Sequence, residues 1–164
     1  WYLTPLTLAD SGYGSADIAR VVMLYYLAVV LFGPTVARLS DTWLGSVPFI
    51  LMGTVASATA LFSLTVWEGF WAIALAVAGL GLGHTLIRAP LYSQAIAMTG
   101  GSGTALSVLR LVERVGAIIG LGASALLLGN MGAASSVRAL GIAVICGMIL
   151  YTVLEVVERR RPGD

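Results

Sequence analysis

Residues 70–92 read FWAIALAVAGLGLGHTLIRAPLY, an apolar run in which Arg88 is the one acidic or basic residue apart from histidine. A helix of about 20 such residues crosses a bilayer. Four other segments have this length and character, and they are residues 19–36, 47–66, 104–128 and 137–157. Backbone amides in hydrocarbon must be hydrogen-bonded within their own segment, and the alternation of a barrel strand is absent. The sequence therefore predicts five transmembrane helices.

The overall composition also indicates that the protein is surrounded by lipid rather than by water. Of 164 residues, 59% are hydrophobic and only 10% are charged, whereas about a quarter of a soluble domain is charged. Lipid must therefore surround most of the surface. The net charge of +1 provides no basic field for nucleic acid, so we expect a lipid bilayer as a partner and no nucleic acid.

The ends of the chain suggest its domain limits and its orientation. The first eight residues form an apolar stub, which as a helix would be about 12 Å long and therefore too short to cross a membrane. We therefore expect that the sequence begins inside a longer protein. We assign residues 1–157 to the helical bundle and 158–164 to a tail. Arginines 159–161 and Arg38 lie on one predicted side, which predicts a cytoplasmic C-terminus.

Local signals refine the helices. Ser15 is a predicted N-cap, and Pro34 is expected to stop or kink its helix. Turn residues separate the spans, including a predicted loop from Arg38 to Gly45 and breaks at residues 67–69, 100–103 and 129–132. Glycines four residues apart predict close helix packing, and they are Gly79 with Gly83 and Gly116 with Gly120.

Three stretches together resemble the C-terminal half of a major facilitator superfamily transporter. The first is YLTPL (2–6) with GYG (12–14). The second is Gly33-Pro34 with ARLSD (37–41) and Gly45. The third is GLGLG (79–83) with PLY (90–92) and LRLVERVG (109–116). The likeness places the chain at helices seven to twelve of the family, with the first truncated.

This resemblance implies an all-α integral membrane fold, a six-helix half with five complete helices and a stub. It implies secondary active transport of a small molecule by alternating access, without a cofactor, in the inner plasma membrane and with a missing N-terminal half. Gly33, Arg38, Asp41 and Gly45 match a cytoplasmic loop motif of the family, although Thr42 replaces its usual arginine. Asp41 alternatively caps a helix or pairs with Arg38.

Charged groups within a span cost about 2.5–3.5 kcal/mol each at the centre, so they mark paired groups or a wet cavity. Five candidates lie at estimated depths of about 6–15 Å, and they are His84, Arg88, Arg110, Glu113 and Arg114. The first two share one helix face, as do the last three. The two helices are sequential and antiparallel, so His84 and Glu113 are expected at similar depth near the midplane, with Arg88 nearer the inner interface.

We expect Glu113 to neutralise Arg110 or Arg114, which leaves one arginine to attract an anionic or carbonyl-bearing substrate. On this hypothesis Arg114→Gln abolishes transport without loss of folding. The alternative is a closed cluster that serves packing alone. His84 is either a proton shuttle with Glu113 or a hydrogen-bonded helix contact. Arg88 could instead snorkel. Four polar side chains could line a pathway or serve packing, and they are Tyr25, Tyr26, Tyr92 and Gln94.

Other functions fit less well. Residues 100–103 (GGSG) resemble an intramembrane serine protease motif, but the histidine precedes Ser102 and lies deeper. No metal-ligand spacing or phosphate loop is present in the sequence, so we predict no catalytic or metal-binding residues and no enzyme. The alternative to transport is a membrane-embedded sensory or anchoring module of a signalling protein. A channel would need a filter of repeated charges or carbonyls.

Overall fold

A computed structural model describes residues 5, 8, 9, 11–67, 69–100 and 103–160, and the backbone alone at 43, 44, 98, 105, 133 and 155–160. This part of the chain holds five long helices and one π-helical turn. They are α1 (Ser15–Leu39), the π turn (Ser40–Leu44), α2 (Ser46–Val66), α3 (Phe70–Met98), α4 (Gly103–Met131) and α5 (Ala133–Arg160). All five helices contain a stretch long and apolar enough to cross a membrane. The predicted helical, multi-pass membrane protein is confirmed at this level.

The predicted loop from Arg38 to Gly45 is wrong, because the helical backbone continues through it. The Ser40 hydroxyl donates to the Ala37 carbonyl at 2.9 Å, and the Thr42 hydroxyl donates to the Arg38 carbonyl at 2.8 Å. These bonds satisfy carbonyls at the end of α1. The chain then breaks at Gly45, whose φ of 71° suits glycine.

Two predicted helix signals also act differently. Pro34 does not end α1, which runs five residues further to Leu39; proline is tolerated in membrane helices because neighbours satisfy the freed backbone groups. The N-cap is Gly14 rather than Ser15, and no side chain caps the helix. Asp17 in the first turn instead pairs with Arg20 at 2.9 Å.

Helix α3 lies at the centre of the bundle and packs on both α1 and α2, while α5 packs on α2. Glycines make the two central contacts possible. A Cβ placed on Gly81 would lie 2.5 Å from the Tyr25 carbonyl oxygen of α1. A Cβ on Gly83 would lie 2.8 Å from the carbonyl oxygen of Gly53 in α2. Close packing at Gly83 is therefore confirmed, and Gly79 makes an ordinary contact with Ala60.

Two small clusters of buried side chains fill the centre. The first joins Val21 of α1 to Ala74 and Val77 of α3, and it includes Leu8 from the segment before α1. The second joins one residue from each of α1, α2 and α3, namely Val36, Phe49 and Leu86. Most of the predicted stub, namely residues 1–4, 6 and 7, lies outside the described residues.

Helix α4 contacts the rest of the bundle only sparsely, along α3 and α5. Its large apolar side chains are open, with Ile118 71% and Leu126 70% exposed. A Cβ on Gly116 or Gly120 would meet nothing within 4 Å, so this predicted pair packs against no other described residue. The side chains of the predicted tail, residues 158–164, lie outside the description, as do Ser102 and the Trp43 side chain.

Candidate functional site

The antiparallel pair α3 and α4 sets the depth of the ionised groups. Arg88 lies ten residues before the end of α3 at Met98, and Glu113 lies ten residues after the start of α4 at Gly103. At 1.5 Å per residue, both lie about 15 Å from the connected ends of the two helices. Each helix has 29 residues and is about 43 Å long, so its ends extend beyond a 30 Å hydrocarbon core, and the two residues lie within that core about a third of the way along each helix. The register therefore brings these two residues to the same level.

Arg88, Tyr92 and Glu113 form one hydrogen-bonded group. The Arg88 guanidinium contacts the Glu113 carboxylate with an Nη2–Oε2 distance of 3.1 Å. The Tyr92 hydroxyl donates to the same Oε2 at 2.7 Å and accepts from Arg88 Nη2 at 3.2 Å. The Arg88 Cζ also lies 5.2 Å from the centre of the Tyr92 ring, within the range of a cation–π contact. The group fastens α4 to α3.

The expected pairing of Glu113 with Arg110 or Arg114 is therefore replaced by a pairing between helices. Among the described residues, the hydrogen bonds to the Glu113 side chain come from Arg88 and Tyr92. Tyr92 accounts for this pairing, because its hydroxyl donates a short hydrogen bond to the same Glu113 oxygen that Arg88 contacts. Tyr92 also lies one turn from Arg88 and orients its guanidinium. Arg110 and Arg114 have no ion pair within the part of the chain described, and both are exposed.

An open cavity of about 300 Å³ lies between α1, α3 and α4. It combines apolar walls with the side chains of two arginines and the histidine. The lining residues are Val29, Gly33, His84, Thr85, Arg88, Ala89, Tyr92 and Arg110. Three of the five candidates from sequence thus meet in one cavity, Glu113 contacts its wall through Arg88 and Tyr92, and Arg114 is not among the lining residues.

His84 occupies the wall of this cavity next to α1. Its ring centre is 6.0 Å from that of Tyr25, with the planes at 55°. The following residue, Thr85, is buried and donates its hydroxyl to the Gly81 carbonyl at 2.9 Å. A proton relay between His84 and Glu113 remains a prediction.

The loop-motif residues do not act as one site. Gly33 lies in the cavity wall, whereas Asp41 lies in the π turn and accepts a hydrogen bond from the Ser93 hydroxyl of α3. Asp41 thus contacts α3 rather than Arg38. Ser93 carried no sequence signal, because its only distinguishing feature is a contact with a residue 52 positions away.

A second cavity, about 470 Å³, opens between α1, α2 and α3. Its walls carry no ionisable acid, base or histidine. They are formed by Ala28, Phe32, Ala56, Thr59, Ala60, Ser63, Trp67, Leu75, Ala76, Ala78, Gly79 and Leu82. In a bilayer such a surface suits hydrocarbon. The chemistry of recognition is therefore concentrated in the cavity that contains the arginines, where sequence reasoning missed the contributions of Val29, Thr85 and Ala89.

Comparison with protein-family models, curated proteins and solved structures gave no match to this chain. The functional conclusion therefore depends on the chain's own residues.

Proposed function

We propose that the chain is the C-terminal half of a secondary active transporter of the major facilitator type, and that it moves a small solute by alternating access. The cavity between α1, α3 and α4 is the solute path. The observation that carries the proposal is the set of ionisable side chains that meets there, between about 10 and 21 Å from the connected ends of α3 and α4. Midplane cavities are where such transporters bind their solutes.

The energetics favour a wet cavity over lipid. Arg88 and Glu113 are paired but remain 48% and 35% exposed, and Arg110 is exposed without an ion-pair partner among the described residues. An ionised side chain that faces hydrocarbon at mid-depth costs about 2.5–3.5 kcal/mol on insertion scales. Water in the cavity, or a facing helix bundle, removes this cost.

The distribution of charged and apolar side chains around α4 supports a partner that covers its charged side. At about 100° per residue, Arg110, Glu113 and Arg114 share a sector about 100° wide. Large exposed apolar side chains lie opposite, and they are Val108, Leu111, Val112, Val115, Ile119 and Leu126. The apolar face suits lipid. The charged face is where the proposal puts the cavity and a companion half that completes the transporter.

The finer topology follows from this proposal. Pro5, Leu8 and Ala9 are helical ahead of α1, where the proposal puts the end of a sixth helix. The arginine distribution in the sequence favours a cytoplasmic C-terminus in an inner plasma membrane. His84 is the residue that would couple transport to protons.

Alternating access can be tested without knowing the solute. The native Cys146 is replaced by serine, and a single cysteine is introduced by Ala89→Cys in the cavity wall. A matched control carries Ile119→Cys on the apolar face of α4, in the middle of that span. Each full-length variant is exposed to a charged, membrane-impermeant thiosulfonate in right-side-out and inside-out vesicles.

The proposal expects the Ala89→Cys variant to be labelled from both sides and the Ile119→Cys variant from neither. Labelling at position 89 from one side only would refute alternating access and favour the sensory or anchoring module. Labelling of the control at a similar rate would show that α4 does not face lipid on its apolar side.

A further inference from the structure

We propose that the cavity binds a small organic monoanion, a monocarboxylate, through the Arg110 guanidinium, while the Glu113 carboxylate compensates the charge of Arg88. This inference rests on the proposed function and specifies the chemical class of the transported solute. It narrows the expectation from sequence, which left both anions and neutral carbonyl compounds open.

The charge balance of the cavity selects a monoanion. Among the lining residues and their ion-pair partners, Arg88 and Arg110 contribute two positive charges and Glu113 contributes one negative charge, so this group carries +1 with His84 neutral. Arg114 shares a face of α4 with Arg110 but is not a lining residue, and it is left out of this count. A monocarboxylate brings the total to zero. A neutral ligand displaces water from Arg110 without compensating its charge, and a dianion leaves one negative charge, so both bind at a greater electrostatic cost than a monocarboxylate.

The available donors favour a carboxylate. Arg110 is exposed in the cavity wall, and a guanidinium presents a planar fork that matches two carboxylate oxygens. The bonds that Arg88 makes to described residues use Nη2 alone. Its other N–H groups can therefore assist the ligand without release of Glu113.

The apolar walls and the small volume of the cavity favour a small ligand with an apolar part. Val29, Gly33 and Ala89 supply apolar surface, and the Tyr92 ring supplies an aromatic edge. The volume of about 300 Å³ is at the lower end of the range for ligand pockets. Benzoate is a suitable probe because benzamide has nearly the same shape without the charge.

The test measures binding of benzoate, benzamide and terephthalate to the complete protein in lipid nanodiscs by calorimetry. We expect benzoate to bind at least about tenfold more tightly than benzamide. Arg110→Gln should weaken benzoate binding by at least about tenfold, whereas Arg138→Gln, which removes an exposed arginine on α5, should leave it unchanged. The fold is not at risk in Arg110→Gln, because the residue has no ion pair in the described structure.

Glu113→Gln gives a second readout that a purely structural role would not move. The variant raises the cavity charge from +1 to +2, so the preference should shift toward the dianion terephthalate by about tenfold or more relative to benzoate. Equal binding of benzoate and benzamide would overturn the proposal. Loss of benzoate binding in Arg114→Gln but not in Arg110→Gln would overturn it as well.

The two proposals fail separately. Labelling at position 89 from both sides without benzoate binding would reject the monocarboxylate and leave transport standing. Benzoate binding with labelling from one side only would reject transport, and with it the role of the anion as the transported solute.

Discussion

Gly81→Ala tests whether close approach of α1 and α3 holds the bundle together. A Cβ at this position would lie 2.5 Å from the Tyr25 carbonyl oxygen and 3.2 Å from the Ala28 Cβ. Ordinary contact begins at 3.4 Å, so the two helices must separate by about 0.9 Å or distort. The obstacle is main chain, which cannot rotate away as a side-chain tip can. Overpacking of this kind costs about 1–3 kcal/mol.

Gly116→Ala is the matched control, because its Cβ would meet nothing within 4 Å. Both changes replace a helical glycine by alanine and gain the same helix propensity, about 1 kcal/mol. The difference between the two variants therefore isolates the packing term. We expect Gly81→Ala to be less stable than Gly116→Ala by about 1–3 kcal/mol.

The assay is reversible unfolding of the purified chain in mixed micelles by titration with sodium dodecyl sulfate, followed by tryptophan fluorescence. Adding Ala28→Gly to Gly81→Ala should restore little stability, because the Tyr25 carbonyl remains in place. Equal stability of the two single variants would refute the packing argument. Full recovery on adding Ala28→Gly would show that a side-chain contact, not the main chain, limits the approach.

Three further predictions each concern a single side chain. Tyr92→Phe removes the donor at 2.7 Å from Glu113 and should cost about 1–2 kcal/mol in the same unfolding assay, because the bond is charge-assisted but partly exposed. Ser93→Ala removes the hydroxyl that donates to Asp41 and should cost less than about 1 kcal/mol; a larger loss would mean that this exposed contact anchors the π turn. Cys146 is exposed on an apolar span, so a lipid-soluble maleimide should modify it in intact membranes and a sulfonated maleimide should not, as read by mass spectrometry.

The helices could be predicted from sequence because the requirement is local. Residues 70–92 are apolar over the thickness of a bilayer, and nothing outside that segment is needed to make it a helix. The error at the loop after Arg38 has a local cause too. Backbone carbonyls at the end of α1 accept hydrogen bonds from the hydroxyls of Ser40 and Thr42, and composition does not reveal these bonds.

Three of the five candidate residues line the cavity, but the pairing within the site was not predicted. Depth counting placed His84 and Glu113 near one level and Arg88 nearer the membrane surface, because the apolar span was taken to end at Tyr92 whereas α3 continues to Met98. The partner of Glu113 depends instead on the rotation of α4 about its axis, which the sparse contacts of that helix with α3 and α5 decide. The hydrophobic periodicity of one helix does not indicate how a neighbouring helix is rotated about its own axis.

The identity of that partner changes which arginine is free. Had Glu113 paired with Arg110, Arg88 would have remained an uncompensated cation of the cavity wall, carried by the central helix and flanked by Tyr92. Pairing across the helices instead neutralises Arg88 and leaves Arg110, on the least packed helix, as the free cation of the cavity wall. A ligand that neutralises Arg110 then contacts α4 on one side and the α1 and α3 walls on the other. Its binding free energy would draw α4 toward the bundle, because a ligand shifts an equilibrium only by its differential affinity for the two arrangements.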